Sequence, residues 1–281
     1  MKLSLCNEVL GSIPLEEQCQ LAALLGYVGL EIAPFTLAES PEHITTAEAR
    51  RLRGVIEASG LICTGLHWLL VKPTGLSVTD PDPGVRARTL DVVKRYIELC
   101  GELGGRVMVH GSPKQRQVAP GESHDTARAR LVEFLQAAGA AAAQHGVTYC
   151  LEPLAPRETT LVNTVAEAAD IVREVDLGSV RTMIDCSAAG ATENESVPEL
   201  IDRWLPTGLI AHMQVNDPNR RAPGQGEMRF GPILAALERN GYAGVVAIEP
   251  FDYVPDGPGC AAWASAYLHG VHDGLSAARE A

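Results

Sequence analysis

Six of the segments that read as β-strands end in side chains able to hold a cation or move a proton. His67 and Trp68 close one, His110 another, Glu152 and Asp185 the two after it; His212, Gln214 and Asp217 lie along the next, and Glu249 ends the last. Four of these recur at even intervals: 33 residues from Glu152 to Asp185, 29 more to Gln214 and 35 more to Glu249. A buried, unpaired carboxylate costs on the order of several kcal/mol, so acids that converge need a counter-charge. Taken singly, each acid also suits the cap of a following helix. Four at matched positions point instead to one shared cation. Three carboxylates and one amide carbonyl offer only oxygen, a hard donor set that favours Mn2+ or Mg2+ over zinc.

The chemistry such a group supports is proton movement beside a carbonyl. A divalent cation stabilises the enediolate left when the neighbouring carbon loses its proton. Glu152 and Glu249 come from different strands and can act from opposite sides, one taking the proton and the other returning it. Return to the same carbon gives an epimer; return to the adjacent carbon gives an aldose–ketose isomer.

The remaining polar residues have two readings each. His67 and His110 suit substrate hydroxyls, or core histidines bonded to backbone. Trp68 suits a wall over the site, or ordinary packing. His212 lies two residues before Gln214, on the same face of a strand, and suits either support of the metal site or packing inside a barrel. Asp217 orients Arg220 or a ligand, or simply turns the chain before Pro218. Glu31, at the end of the second strand, orients a neighbour or caps.

These residues need strands to present them at one end of a scaffold. Strand-like runs occur at Lys2–Cys6, Gly29–Ile32, Ile62–Leu66, Arg106–His110, Thr148–Glu152, Arg181–Asp185, Leu209–Val215 and Val245–Glu249. Helical patterns fall between them, at Leu15–Leu25, Thr46–Ser59, Val85–Leu103, Thr126–His145, Val165–Val175, Val197–Leu205 and Ile233–Asn240, with a last helix at Ala261–Leu275. Alternation of this kind implies parallel β-α-β units. Eight units in 281 residues imply an α/β fold closed as a (β/α)8 TIM barrel. An open doubly wound sheet is disfavoured, because no G-x-G-x-x-G follows the first strand. With no linker or low-complexity stretch, residues 1–281 read as one domain; the Pro- and Gly-rich run 72–84 reads as an excursion over one barrel face.

Hydrophobic residues make up 46% and charged residues 21%, enough for a large core. No apolar run reaches the roughly 18 residues of a membrane span. The start, MKLSLCNEVLGSIP, is too short in its apolar part for a secretory signal and reads as the first strand. The net charge of −12 argues against nucleic acid as partner. Seven scattered cysteines without a C-x-x-C suit reduced thiols in a cytoplasmic protein.

At the site residues the sequence resembles the xylose-isomerase-like sugar isomerase/epimerase superfamily. That group includes ketose 3-epimerases, hydroxypyruvate isomerase and endonuclease IV. The carriers are GLEIAP (29–34), GLHWLL (65–70), RVMVHGS (106–112), CLEPL (150–154), MIDC (183–186), HMQVNDPNRRAPGQGE (212–227) and AIEPF (247–251). The resemblance implies metal positions at Glu152, Asp185, Gln214 and Glu249, with Glu152 and Glu249 as the acid/base pair. It implies contacts from Glu158 and Arg220 to substrate oxygens. Ketose 3-epimerases usually have His where Gln214 stands, whereas hydroxypyruvate isomerase shares the H-x-Q pattern. Both usually carry a substrate-binding His three residues after the metal Asp, where this chain has Ala188.

The expected function is therefore a divalent-metal-dependent isomerase or epimerase of a keto-sugar or related hydroxy-ketone, a homodimer or homotetramer by the same resemblance. Three rivals stand beside it. A metal-dependent lyase or C-deglycosidase on a 3-keto-sugar would share the enolisation and then expel a substituent. A nuclease like endonuclease IV would bind three zinc ions, but Ala188 and Gln214 replace two expected His. A non-enzymatic sugar-binding protein would not need four metal-type positions.

Overall fold

A computed structural model describes residues 1–11 and 13–280. Eight parallel strands close into a barrel in chain order: β1 (Leu3–Cys6), β2 (Gly29–Ile32), β3 (Ile62–Leu66), β4 (Val107–His110), β5 (Thr148–Leu151), β6 (Val180–Asp185), β7 (Ile210–Val215) and β8 (Val246–Ile248), with β8 pairing back onto β1. The helices are α1 (Leu15–Leu24), α2 (Thr46–Ala58), α3 (Pro83–Leu103), α4 (His124–Gln144), α5 (Val165–Val175), α6 (Cys186–Thr192), α7 (Val197–Trp204), α8 (Phe230–Arg239) and α9 (Gly257–Glu280). The TIM-barrel fold is the one expected from strand–helix alternation.

Helix starts follow local chemistry. Thr45 and Ser123 accept the backbone N–H groups of Glu48 and Thr126 at α2 and α4. Asp82 caps α3, whose first residue is Pro83. Thr164 and Glu167 form a reciprocal capping box at α5. α3 and α4 begin two residues before the expected positions, because the apolar period starts only after the cap and first turn. α6 was not expected at all: its Ala- and Gly-rich sequence carries no amphipathic period, and its start depends on Asp185 accepting the N–H of Ala188.

The strand faces that meet the helices are apolar and form one continuous core; Val109, Cys150 and Met183 make a second, small cluster on β4, β5 and β6. Close approach between strands fixes two glycines. A Cβ on Gly29 would lie 2.4 Å from the Ile62 carbonyl oxygen, and one on Gly65 would lie 2.2 Å from that of Val107. The β2–β3 register shifts between Leu30 and Glu31, a bulge that re-aims Glu31. All seven cysteines are buried and free. Among the described residues no helix is long and apolar enough to cross a membrane.

Candidate functional site

Side chains at the C-terminal ends of the strands converge in the barrel mouth. Glu152 and Glu249 lie one residue beyond β5 and β8, where both were expected to end the strand itself. Their backbones still continue the ladder, Glu152 N donating to His110 O at 3.2 Å and Glu249 N to Val215 O at 3.3 Å. Asp185 ends β6 and stands in register with Gln214 on β7, so the two side chains project to the same face. One carboxylate oxygen from each of Glu152, Asp185 and Glu249 lies within 4.8 Å of the other two, and all three residues are buried.

Three acids so close cannot all ionise freely. Burial pushes Asp185 up to about 6 and Glu249 up to about 8, with His67 pulling Glu249 the other way. Burial, then Glu249 and Asp185, lift Glu152 well above the ordinary carboxylate range against the pull of Arg116.

The oxygens are individually oriented. Asp185 Oδ1 accepts the Ala188 N–H at 2.7 Å, so this acid does cap a helix, while its Oδ2 accepts from Asn216 Nδ2 at 2.8 Å. Asn216 also donates to Glu249 O at 2.9 Å and accepts the Ser187 N–H at 2.8 Å, tying together the ends of β6, β7 and β8. Glu152 leans over Gly111, where a Cβ would stand 2.1 Å from its Oε2. Gln214 Nε2 donates to Glu31 Oε1 at 3.0 Å, a bond between β2 and β7 that must cross the barrel interior because those strands are not neighbours. Gln214 Oε1 and Glu249 Oε2 are buried without a partner. His212 Nε2 lies 2.8 Å from Glu31 Oε2, close but bent away from hydrogen-bond geometry. Burial works against the Glu31 charge, yet His212, His67 and the Gln214 amide together hold that carboxyl below its ordinary value.

The donor set fits a hard divalent cation. It comprises buried carboxylate oxygens without sufficient positive charge nearby, together with two orphaned oxygens, and buried polar atoms in folded proteins are rarely left unpartnered.

Around this group the mouth is partly aromatic. The Trp68 ring meets Phe35 and Phe251 edge-on, with centroids 5.4 and 5.8 Å away. Arg220 lies over the Phe251 ring at 4.5 Å and approaches Glu158 Oε1 with Nη1 at 3.5 Å. Trp68, Ser112 and Arg220 all have left-handed backbone, with φ of 49°, 32° and 71°; such strain concentrates at functional loops. Asp217 accepts the N–H groups of Asn219 and Met228, so it shapes the loop that carries Arg220. His110 Nδ1 is 2.8 Å from Tyr149 Oη and its Nε2 has no partner; burial, then Arg116, depress its pKa to about 3, leaving it neutral. His67 is held by Glu8 and Glu249, at 2.9 and 2.8 Å.

Sequence reasoning missed Glu8, Arg116 and Asn216. Arg116 is fully buried, with Nε and Nη2 unpartnered, and burial lowers its pKa to about 10 despite the charges of Glu152 and Glu158. The VHGSPKQR run contained the signal, a guanidinium six residues beyond a strand end, but no period marks it as buried.

The chain resembles known proteins along most of its length. The family model described as xylose isomerase-like TIM barrel matches residues 19–270. The D-psicose 3-epimerase of Ruminiclostridium cellulolyticum is 28% identical over 233 residues, which cover 82% of this chain and 75% of that protein. The 3-dehydro-D-guloside 4-epimerase of Escherichia coli is 26% identical over 196 residues, 64% of this chain and 74% of that one. A crystal structure of D-psicose 3-epimerase in the presence of D-fructose shares the fold with a TM-score of 0.83, at 22% identity over 96% of this chain and 99% of that one. With strand order, barrel closure and a family match over most of its length in agreement, the chain belongs to the xylose isomerase-like TIM barrel family.

Proposed function

We propose that this protein is a divalent-cation-dependent epimerase or isomerase of a keto-sugar or related hydroxy-ketone. The observation that carries the reading is the buried meeting of Glu152, Asp185 and Glu249 carboxylate oxygens within 4.8 Å of one another. Glu152, Asp185, Gln214 and Glu249 would hold the cation, with Mn2+ or Mg2+ fitting their oxygens. When bound, the cation supplies positive charge that favours an enediolate over its parent carbonyl compound.

The protein's own groups do the rest. Glu152 and Glu249 rise from β-strands separated by two others, so they flank a substrate from different sides. One removes a proton from the carbon beside the carbonyl and the other returns one. In the metal-free site burial raises both carboxyls above the ordinary carboxylate range, as suits groups that take up and release a proton. Arg220 and Glu158 offer a donor and an acceptor to substrate hydroxyls at the rim. Trp68, with Phe35 and Phe251, covers an apolar side of the substrate and keeps water from the exchanging proton. His110, neutral and with Nε2 free, is a further candidate for a substrate oxygen, and Asp217 acts through the Arg220 loop. His212 supports Glu31, and through it Gln214.

The test is a panel of ketoses and hydroxypyruvate incubated with the Mn2+-loaded protein in D2O. The expected product is an isomer of the substrate in which one carbon-bound hydrogen has been replaced by deuterium, with no other change of composition, and chelation of the metal abolishes its formation. Glu152→Gln and Glu249→Gln each lower turnover by about 10²-fold or more. An eliminated fragment in place of a mass-neutral product would establish a lyase, and full activity in both variants would reject the acid/base pair.

A further inference from the structure

Glu8, His67 and Glu249 form a buried row in which an imidazole bridges two carboxylates. His67 Nδ1 lies 2.8 Å from Glu249 Oε1, and His67 Nε2 lies 2.9 Å from Glu8 Oε2. The imidazole is fully buried, and both acids are buried with it. The three residues come from different parts of the barrel: Glu8 from the 3-10 turn Asn7–Leu10 after β1, His67 from the residue after β3, and Glu249 from the residue after β8. The turn that carries Glu8 is itself clasped, since a Cβ on Gly257 would stand 2.0 Å from Val9 O.

We propose that Glu8 and His67 are positioning residues that fix the orientation of the Glu249 carboxylate and so decide which of its oxygens faces the substrate. The proposal rests on the reading of Glu249 as an acid/base group. A free carboxylate turns about its last bond and can exchange its two oxygens. Anchoring Oε1 to an imidazole nitrogen removes that freedom and leaves Oε2, the buried atom without a partner, as the oxygen available for chemistry. The imidazole could rotate in turn if its far nitrogen were loose. Glu8 closes that route, as carboxylates do when they steady a histidine at a functional centre. Displacement of a reacting group by about 1 Å can cost about 10²-fold in rate, which is the scale on which such a restraint acts.

The same atoms admit a rival reading. Cys6, Glu8, His67 and Glu249 each offer a ligand atom within 4.8 Å of the others, a set that could hold a soft cation. Against this, both His67 ring nitrogens already engage carboxylates, so neither is left to ligate metal or to meet a substrate hydroxyl. Burial also keeps the Cys6 thiol protonated.

Glu8 is hydrogen-bonded to His67 and not to Glu249, which makes it the position to test. Glu8→Ala, assayed at saturating Mn2+, is expected to lower kcat about 10-fold or more, with KM within about 3-fold of the parent. Glu8→Gln, which keeps the length and an acceptor oxygen, is expected to recover most of the rate. In the metal-free protein, proton NMR should show an exchange-protected imidazole N–H signal that is absent from His67→Gln, lost in Glu8→Ala and kept in Glu8→Gln. Parent-like kcat in folded Glu8→Ala, equal loss in both Glu8 variants, or a second bound zinc that disappears in Cys6→Ala would overturn the clamp. Glu249→Gln measured alongside separates the two ideas. If it stays active, the acid/base assignment fails; if it is inactive while Glu8→Ala is fully active, only the clamp fails.

Discussion

Gln214 gives its amide nitrogen to Glu31 across the barrel at 3.0 Å, and its amide oxygen is left buried without a partner. An amide is close to symmetric in shape, so without Glu31 either end could face the cluster. A carboxylate behind it accepts only from nitrogen and thereby chooses the oxygen. Glu31→Ala should weaken Mn2+ binding about 10- to 100-fold, as loss of a supporting partner does at metal sites. Titration calorimetry on the refolded, metal-stripped protein measures it; parent-like affinity would show that Glu31 has no such role.

Gly111 should tolerate no side chain, for a reason unrelated to backbone strain. A methyl there would occupy the space of Glu152 Oε2, 2.1 Å away. Gly111→Ala should therefore cut turnover by about 10²-fold by displacing the carboxylate. Circular dichroism should remain that of the parent. Retained turnover would mean that Glu152 can work from another position.

Asn216 makes three buried hydrogen bonds, to Asp185, Glu249 and Ser187. Asn216→Ala removes them together and leaves a carboxylate oxygen and a carbonyl without a donor. A loss of about 2–4 kcal/mol in unfolding free energy is expected, by denaturant titration. A loss below about 1 kcal/mol would indicate that water replaces the amide.

Stability of the metal-free protein should fall as pH rises. Asp185 and Glu249 are raised to about 6 and about 8 in the folded state, against about 4 in an unfolded chain. Between those values the folded form binds more protons than the unfolded form, so the unfolding free energy decreases with pH. The melting temperature should drop from about pH 5 to about pH 8 and flatten when Mn2+ neutralises the cluster. A rise over that interval without metal would contradict the placement of the acids.

The barrel was readable because two periodicities alternate along the chain, and the acids stood out because each closes a strand-like run. Contacts across the barrel were not readable in the same way. His67 and Glu249 are 182 residues apart and on strands that are not neighbours; no spacing rule joins them, and His67 read as a substrate contact. Glu8, Asn216 and Arg116 escaped because they sit in short turns or just beyond a strand end, where burial is decided by closure of the ring and not by local pattern. Asp185 shows that helix capping and ligand geometry need not exclude each other, since its Oδ1 takes a backbone donor and still has a lone pair to share.

The Arg220 carbonyl accepts the N–H groups of both Phe251 and Asp252, at 2.8 and 2.9 Å. Arg221 Nε pairs with Asp252 Oδ2 at 2.8 Å, and Gln225 Nε2 donates to Val254 O at 2.7 Å. Residues 217–228 and 250–254 are thus one unit of replacement. Swapping either segment alone into a relative would break the Arg221–Asp252 pair and require the new backbone to meet the Arg220 carbonyl and the Gln225 amide in the same place, so a new specificity is grafted onto this barrel most directly by exchanging the two as a pair.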